Sequence, residues 1–262
     1  MIKDFLNRVL GKFNLEINNK YIFEISDDPV EIIRRIFCSH KVNTIIDGGA
    51  SIGDISLKFA NYFPQSNVYC FEPYSDFIQF LNERFDDNER IIICPYALSA
   101  TNKDLNLYIN NSKGTNSTLP PLSKGVSIYG NQFENTGVEI AKAISLDAWA
   151  KQNCIDHIDI LKLDVQGTEL DVLKGANRLL SINGIDALLI EVNFENCYQN
   201  QTGWDALISY LMNSGYCLFN FYNFYYFEGK LIQSDAIFFR NDILDSINSS
   251  KLFHNRSNIL LK

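Results

Sequence analysis

Four acidic residues follow predicted buried strands and could do chemistry where those strands end. These acids are Asp47, Glu72, Asp164 and Glu191. Each comes after a short apolar run bounded by glycine, proline or polar residues, which is typical of strands in a parallel sheet. Because ligands bind at the carboxyl ends of strands in doubly wound folds, we expect the four carboxylates to share one edge of the sheet.

The first acid opens a glycine-rich motif between a strand and a helix. The motif consists of Asp47, Gly48, Gly49, Ala50, Ser51, Ile52 and Gly53. Its glycines let the backbone turn sharply and approach a ligand at the helix N-terminus. The spacing is not the G-x-G-x-x-G of dinucleotide sites, and it favours an amino-acid carboxylate with a nearby sulfonium over a pyrophosphate. A tight turn without a ligand is the alternative.

The second acid ends the next predicted strand as the pair Glu72 and Pro73. An acid at this place can accept hydrogen bonds from both ribose hydroxyls of an adenosine ligand. A surface acid at a strand end is the alternative, and the glycine-rich motif makes it the weaker interpretation.

Asp164 and Glu191 end the fourth and fifth predicted strands. The first and fourth strands flank the point where the strand order reverses, so Asp164 is expected to face the reactive group. Glu191 lies one strand further, over the acceptor side. The pair could orient and deprotonate a hydroxyl, or hold a divalent cation such as Mg²⁺. A helix cap and a solvated strand end are the structural alternatives.

The histidines are poor candidates for a general base. His40 and His157 each precede a strand, so they belong at the end of the sheet opposite the ligands, and His254 lies in the C-terminal tail. Surface or capping roles are expected for all three.

The elements that position the acids alternate between strand and helix. Predicted strands cover residues 44–46, 68–71, 91–93, 158–163 and 187–190, and a hairpin covers 216–221 and 231–239. This pattern predicts an α/β fold with a Rossmann-like, seven-stranded, mostly parallel, doubly wound sheet whose last strand is antiparallel.

The chain divides into three predicted parts. Residues 1–41 form a helical cap region, residues 42–240 form the main domain with an insertion at 101–152, and residues 241–262 form a tail. The middle of the insertion is rich in Asn, Ser, Gly and Pro, and we expect a loop there that acts as a lid or contacts the substrate.

The cap region contains two predicted helices. Apolar residues at helical spacing mark the first helix within residues 2–13. Its apolar face is expected to pack on its own domain, and pairing with a second chain in a homodimer is the alternative. The second helix lies near residues 28–37, with Asp27 or Asp28 as its cap and Pro29 at its first position.

Composition and net charge indicate what kind of partner the protein binds. The chain has 262 residues, 46% of them apolar, and a net charge of −8, which argues against nucleic acid as the main partner. The six cysteines show no CxxC pair and are interpreted as reduced. No signal peptide or apolar run long enough to span a bilayer is recognisable. We therefore expect a cytoplasmic protein with a small-molecule or glycan substrate and no transmembrane segment.

Taken together, these motifs resemble the FkbM family of methyltransferases over residues 42–239. The resemblance rests on IDGGASIG at 46–53, FEP at 71–73, PYALS at 95–99, SLD at 145–147, and ILKLDVQG at 160–167 with LKGA at 173–176. The last two segments are the most specific. The expected sheet is also the one typical of class I methyltransferases.

The resemblance implies S-adenosylmethionine as donor and a hydroxyl oxygen as acceptor, commonly on a sugar or a natural product. By position, Asp47, Gly49, Ala50 and Gly53 would hold the methionine part, Glu72 the ribose and Ala97 the adenine region. Gln166 stands where many members have Glu, so a catalytic role of that charge would be absent here.

These inferences predict direct methyl transfer, with Asp164 or Glu191 as base or as metal ligand. Two other functions are the alternatives. A non-catalytic protein that binds S-adenosylmethionine would keep the fold without turnover, and the intact set of acids argues against it. A dinucleotide-dependent oxidoreductase would need the missing G-x-G-x-x-G pattern.

Overall fold

The computed structural model describes residues 28–249, with side chains described up to residue 245. The helix expected within residues 2–13, the segment that follows it and His254 lie outside the described residues.

Between residues 28 and 249, ten strands form two sheets. In chain order they are β1 Thr44–Gly48, β2 Asn67–Phe71, β3 Ile91–Cys94, β4 Ala97–Leu98, β5 Lys103–Asn110, β6 Asn135–Ile144, β7 Ile158–Leu163, β8 Ile185–Asn193, β9 Tyr216–Phe227 and β10 Lys230–Arg240. The larger sheet has the order β3-β2-β1-β7-β8-β10-β9. Its pairs are parallel except those that β10 makes, which are antiparallel on both sides. The predicted fold class is confirmed.

Helices cover both faces of this sheet. In chain order they are α1 Pro29–Ile36, α2 Asp54–Tyr62, α3 Ser75–Arg84, α4 Ser123–Tyr129, α5 Leu146–Gln152, α6 Glu169–Lys174, α7 Asn177–Ser181, α8 Trp204–Asn213 and α9 Asn241–Ser249. Two apolar cores result, one on each face. The strands β7 and β8 are buried along almost their whole length, as expected of central parallel strands.

The helix predicted near residues 28–37 is α1. Its N-terminus is capped by Asp28, whose Oδ1 accepts a hydrogen bond from the backbone N–H of Val30 at 3.1 Å. Pro29 occupies the first helical position, where its missing N–H costs nothing. The cap and proline predictions are confirmed, with Asp28 as the capping residue.

The insertion is folded rather than a long loop. Its strands β5 and β6 pair antiparallel, and β4 joins β6 to complete the three-stranded sheet. The expected loop between residues 110 and 137 contains α4 and two short 3₁₀ segments. Ile128 and Phe133 hold this region on the main domain by packing with Tyr198 and Ile232. These few apolar anchors are spaced too widely to reveal a helix by periodicity.

Candidate active site

The glycine-rich turn after β1 lies tightly against the end of β7. Gly49 has a φ of 75°, and a Cβ there would lie 1.9 Å from the carbonyl oxygen of Asp164. Gly53 has a φ of 82°, and its Cβ would lie 2.5 Å from the ring of Phe85. Both positions therefore require glycine, the first for the approach to β7 and the second for the packing of α2 on α3.

Asp47 is fully buried beneath this turn and lines neither of the two cavities described below. Its Oδ1 lies 3.0 Å from Nζ of Lys162, and its Oδ2 accepts a hydrogen bond from Ser56. Lys162 also donates to the carbonyl oxygen of Gly49 at 2.8 Å. The ion pair of Asp47 and Lys162 thus holds the backbone of the turn in place.

Lys162 is a functional position that our sequence reasoning missed. Burial alone would lower its pKa, but Asp47 and Asp164 hold the pKa of Lys162 above its usual value. A single lysine in the apolar run of β7 was the available signal, because a buried charge needs a partner.

The first cavity opens at the ends of β1 and β2. Six of the site residues predicted from the sequence line it, namely Gly49, Ser51, Glu72, Pro73, Ala97 and Asp164. The insertion contributes Lys113 and residues 116–118 to the lining of this cavity. Ala50 and Gly53 are not among the lining residues.

Glu72 presents a carboxylate to this cavity while its backbone neighbours hold it in place. Its Oε2 accepts the N–H of Ser51 at 2.8 Å, and its Oε1 accepts the N–H of Tyr74 at 2.9 Å. Burial raises the pKa of Glu72 to about 7. Each carboxylate oxygen retains a second lone pair for a ligand hydroxyl.

Asp164 lies between the first cavity and a second one of about 500 Å³. Its side chain is 40% exposed, whereas Glu191, which lines the second cavity, is buried. The amide Nε2 of Gln166 lies 2.6 Å from Oδ1 of Asp164 and 3.2 Å from Oε2 of Glu191. The structure therefore brings the two predicted catalytic acids together through an amide that our sequence reasoning did not assign.

Glu191 is surrounded by amide donors. Besides Gln166, Asn193 donates to its Oε2 at 3.0 Å and Gln233 donates to its Oε1 at 2.9 Å. Burial, followed by the nearby charge of Asp164, raises the pKa of Glu191 well above its usual value. A carboxylate with a raised pKa is a stronger base once it is ionised.

Asp235 is a third acid at this place. It pairs in register with Glu191 across β10 and β8, lines the second cavity and accepts a hydrogen bond from Asn223 at 2.6 Å. Burial raises the pKa of Asp235 to about 6. An acid within the apolar run of β10 was a signal, but its register against Glu191 cannot be derived from one sequence.

The histidines in the described range lie away from both cavities. His157 precedes β7, and its Nε2 lies 3.0 Å from Oδ2 of Asp186. With Asp159 these two residues form the one cluster of three metal-ligating side chains found between residues 28 and 245. Two backbone N–H groups and Arg240 already bond its carboxylates.

Within the part of the chain that the structure describes, no helix combines the length and the apolarity needed to cross a membrane.

The sheet order, the glycine-rich turn after β1 and the acids at the ends of β2 and β7 together define a class I methyltransferase fold. The chain belongs to the FkbM methyltransferase family, because the family model described as "Methyltransferase FkbM domain" matches residues 47–218. The resemblance that the sequence motifs indicate is thereby confirmed.

Two relatives are similar over part of their length. Methyltransferase sdnD of Sordaria araneosa is 30% identical over 158 residues, which are 51% of this chain and 60% of that protein. The 2-O-methyltransferase NoeI of Sinorhizobium fredii is 23% identical over 174 residues, 64% of this chain and 70% of that protein. The match thus spans less than two thirds of the Sordaria protein.

Among solved structures, magnesium protoporphyrin IX methyltransferase from Synechocystis PCC 6803 is 10% identical. Its TM-score is 0.45, and the superposition covers 91% of this chain and 95% of that one.

Proposed function

We propose that this protein transfers a methyl group from S-adenosylmethionine to a hydroxyl oxygen of a small molecule or a glycan. The observation that carries the proposal is the position of Asp164, which lines both cavities at the end of β7 and is joined to Glu191 through Gln166. A donor in the first cavity and an acceptor in the second would meet at this carboxylate.

The first cavity has the chemistry that an adenosine requires. Apolar side chains from Phe71, Tyr96 and Leu98 line it, and the carboxylate of Glu72 lies beside them. Flat apolar walls suit a nucleobase, and a carboxylate with free lone pairs suits the two hydroxyls of a ribose. We assign Glu72 to the ribose, Ala97 to the adenine region, and Gly49 and Ser51 to the adjoining part of the donor.

Asp47, Ala50 and Gly53 act indirectly in this proposal. They shape the turn that carries Gly49 and Ser51, since Asp47 fixes the turn through Lys162 and Gly53 lets α2 pack on α3.

Entry of the donor requires the insertion to move. The first cavity has about 70 Å³ of free space, whereas sites for small-molecule ligands hold roughly 300–1,000 Å³. Asn116, Ser117 and Thr118 form the wall that the insertion contributes. We assign to the insertion the role of a lid whose outward movement admits the donor.

The second cavity suits an acceptor without phosphate groups. Asp164, Glu191 and Asp235 line it, and the lysines beside them are engaged, Lys162 with Asp47 and Lys58 with Asp28. Three carboxylates repel a phosphate backbone, and the net charge of −8 acts in the same direction. This supports a hydroxylated acceptor over nucleic acid. The relative NoeI is named a 2-O-methyltransferase.

S-adenosylmethionine supplies an electrophilic methyl group on a sulfonium. The protein aligns the acceptor oxygen with that methyl group, and orientation of this kind can lower a barrier by roughly 7–11 kcal/mol. As the oxygen–carbon bond forms, the carbon–sulfur pair stays on sulfur and Glu191 or Asp164 takes the hydroxyl proton.

The proposed transfer needs no cation. The Gln166 amide occupies the space between Asp164 and Glu191, and Asn193 and Gln233 bond two further lone pairs of Glu191, which leaves one for the proton of the acceptor. A Mg²⁺ ion bridging the pair would have to displace this amide. Turnover that survives excess EDTA supports the metal-free mechanism, and turnover that EDTA abolishes and Mg²⁺ restores would establish the cation instead.

We further propose that the protein works in the reducing environment of the cytoplasm. All six cysteines are free, and three of them, Cys70, Cys94 and Cys197, are buried as small apolar side chains.

The donor assignment is tested by calorimetric titration with S-adenosylhomocysteine and, separately, with NADH. We expect binding of the first ligand only, and its loss in Glu72→Ala. The matched control is Glu83→Ala, which removes a carboxylate from the exposed side of helix α3 and should bind like the wild type. Binding of NADH without S-adenosylhomocysteine would contradict the proposal and favour the oxidoreductase.

A further inference from the structure

Within residues 28–245, the side-chain amide of Gln166 is the one group whose hydrogen bonds reach both Asp164 and Glu191. Its Nε2 reaches Oδ1 of Asp164 at 2.6 Å and Oε2 of Glu191 at 3.2 Å. An amide nitrogen carries two hydrogens, so one group can donate to both carboxylates. Like charges this close repel each other, and a shared donor offsets part of that repulsion.

The orientation of this amide is set from its other end. The hydroxyl of Tyr198 lies 2.8 Å from Oε1 of Gln166. Burial, followed by the charge of Glu191, raises the pKa of Tyr198 well above its usual value, so the hydroxyl keeps its proton and donates it. The reversed amide would set its oxygen against both carboxylates.

The backbone of Gln166 is held in an unusual conformation. Its φ is 55°, in the left-handed region that a glutamine rarely adopts. The flanking N–H groups of Val165 and Gly167 both donate to Oε1 of Glu169, each at 3.1 Å. Such strain costs on the order of 1–3 kcal/mol and persists only where the surroundings enforce it.

The insertion contacts the same residue. The hydroxyl of Ser117 donates to the carbonyl oxygen of Gln166 at 2.7 Å, and Tyr198 also lies 2.8 Å from the carbonyl oxygen of Thr115. Tyr198 has one proton for two acceptors, Thr115 and Gln166. The lid and the carboxylate pair therefore compete for one donor.

We propose that Gln166 is the positioning residue of the carboxylate pair, and that Tyr198 fixes which end of its amide faces Asp164 and Glu191. The inference rests on the proposed methyl transfer and adds the group that favours the ionised form of the base and orients it toward the second cavity. Gln166 acts through the acids and takes no proton itself.

The electrostatic surroundings of Glu191 define what a titration would measure. The charged or titratable groups that face it are Asp164, Glu169, Asp235, Lys162, Tyr129, Tyr198 and Cys197. Substitution of Gln166 removes none of these groups, although it takes a hydrogen-bond partner from Asp164 and from Tyr198. A change in the pKa of Glu191 in such a variant therefore reports the lost amide.

The test is a ¹³C NMR titration of the Glu191 carboxyl group in protein labelled at glutamate Cδ, with Glu191→Gln to assign the signal. Loss of a hydrogen bond to a charged group in Gln166→Leu should raise the pKa of Glu191 by about 1 to 2. Gln166→Glu adds a third carboxylate and should raise it further. Tyr198→Phe should give a smaller rise in the same direction.

The charge-matched control is Gln79→Glu at an exposed position of helix α3, which should leave the titration of Glu191 and the turnover unchanged. In Gln166→Leu we expect kcat to fall by about tenfold, the factor that corresponds to one pH unit. Gln166 also lines the first cavity, so kcat is measured at saturating donor, binding of S-adenosylhomocysteine is titrated for each variant, and thermal unfolding checks that each variant folds.

An unchanged pKa of Glu191 in a folded Gln166→Leu protein overturns the positioning role. Failure of the proposed function has a different signature, since the wild type would then not bind S-adenosylhomocysteine. The NMR titration does not depend on that ligand, so the two failures are distinguishable.

Discussion

Glu72 and Glu191 are equally buried, at 6% exposure each, yet different parts of the protein hold them. Backbone N–H groups of Ser51, in the glycine-rich turn, and of Tyr74, two residues further along the chain, bond Glu72. Side-chain amides bond Glu191, two of them from separate elements. The carboxylate at the proposed donor end is thus held by backbone groups, whereas the carboxylate at the proposed acceptor end is held by side chains.

The two ways of holding a carboxylate respond differently to substitution of the neighbouring residues. A carboxylate held by backbone groups survives most substitutions around it, because every non-proline residue supplies the N–H. A carboxylate held by side-chain amides changes with each substitution of those amides. We expect family members to share the donor end and to differ at the acceptor end.

The largest effect is expected at the acceptor end. Glu191→Gln keeps the shape of the side chain but removes the base, so turnover should fall by ~10²–10⁴-fold while binding of S-adenosylhomocysteine is unchanged. Asp164→Asn is the parallel variant, and the one with the larger fall in kcat identifies the base. Full turnover in both variants would remove the carboxylates from the mechanism.

At the donor end, Lys162→Met tests the ion pair below the glycine-rich turn. It leaves Asp47 buried without its cation, which typically costs ~3–5 kcal/mol of unfolding free energy. Chemical denaturation measures this loss. Lys174→Met is the control, since its pair with Asp171 is half exposed and contributes roughly 0–1 kcal/mol. Equal effects of the two substitutions would refute a special role for Lys162.

The pH dependence of donor binding probes Glu72. Its pKa of about 7 lies above the usual value because of burial. Ribose hydroxyls donate to the ionised form, so binding favours loss of the proton, and affinity should rise with pH through 7. Below that pH the affinity should fall by about tenfold per pH unit. Calorimetry in two buffers of different ionisation enthalpy should detect proton release, and Glu72→Gln should abolish it.

The smallest effect is expected where the insertion meets the site. Ser117→Ala removes one hydrogen bond to the Gln166 carbonyl oxygen and should cost about 1 kcal/mol of unfolding free energy. It should also weaken closure of the lid and raise the rate of donor dissociation. Ser127→Ala, which affects an exposed bond within α4, should leave that rate unchanged. Equal rates of donor dissociation in both variants would show that Ser117 does not help to close the lid.

The same contrast explains what the sequence alone could predict. The sheet, the turn after β1 and Glu72 follow from apolar runs, glycines and strand ends, all of which are local signals. The roles of Asp235 and Gln233 were not predicted, because they depend on the antiparallel register of β10 against β8. Register is set by packing and turn geometry across the whole sheet, which one sequence does not reveal.

The fold of the insertion was not predicted for a related reason. Its middle has a loop-like composition, and its fold depends on a few apolar residues, among them Ile128 and Phe133, that pack on Tyr198 and Ile232. The expected position beside the site is nevertheless supported, because residues 116–118 line the first cavity. Composition describes the solvent-facing residues of such a segment and says little about its few buried anchors.

The most direct test of the central claim follows a labelled methyl group from S-adenosylmethionine into a panel of hydroxylated sugars, with RNA in parallel. We predict that the wild type places the label on a sugar oxygen. The Glu191→Gln variant should lose most of that label. Label in RNA, or no label in any acceptor despite binding of S-adenosylhomocysteine, would contradict the account.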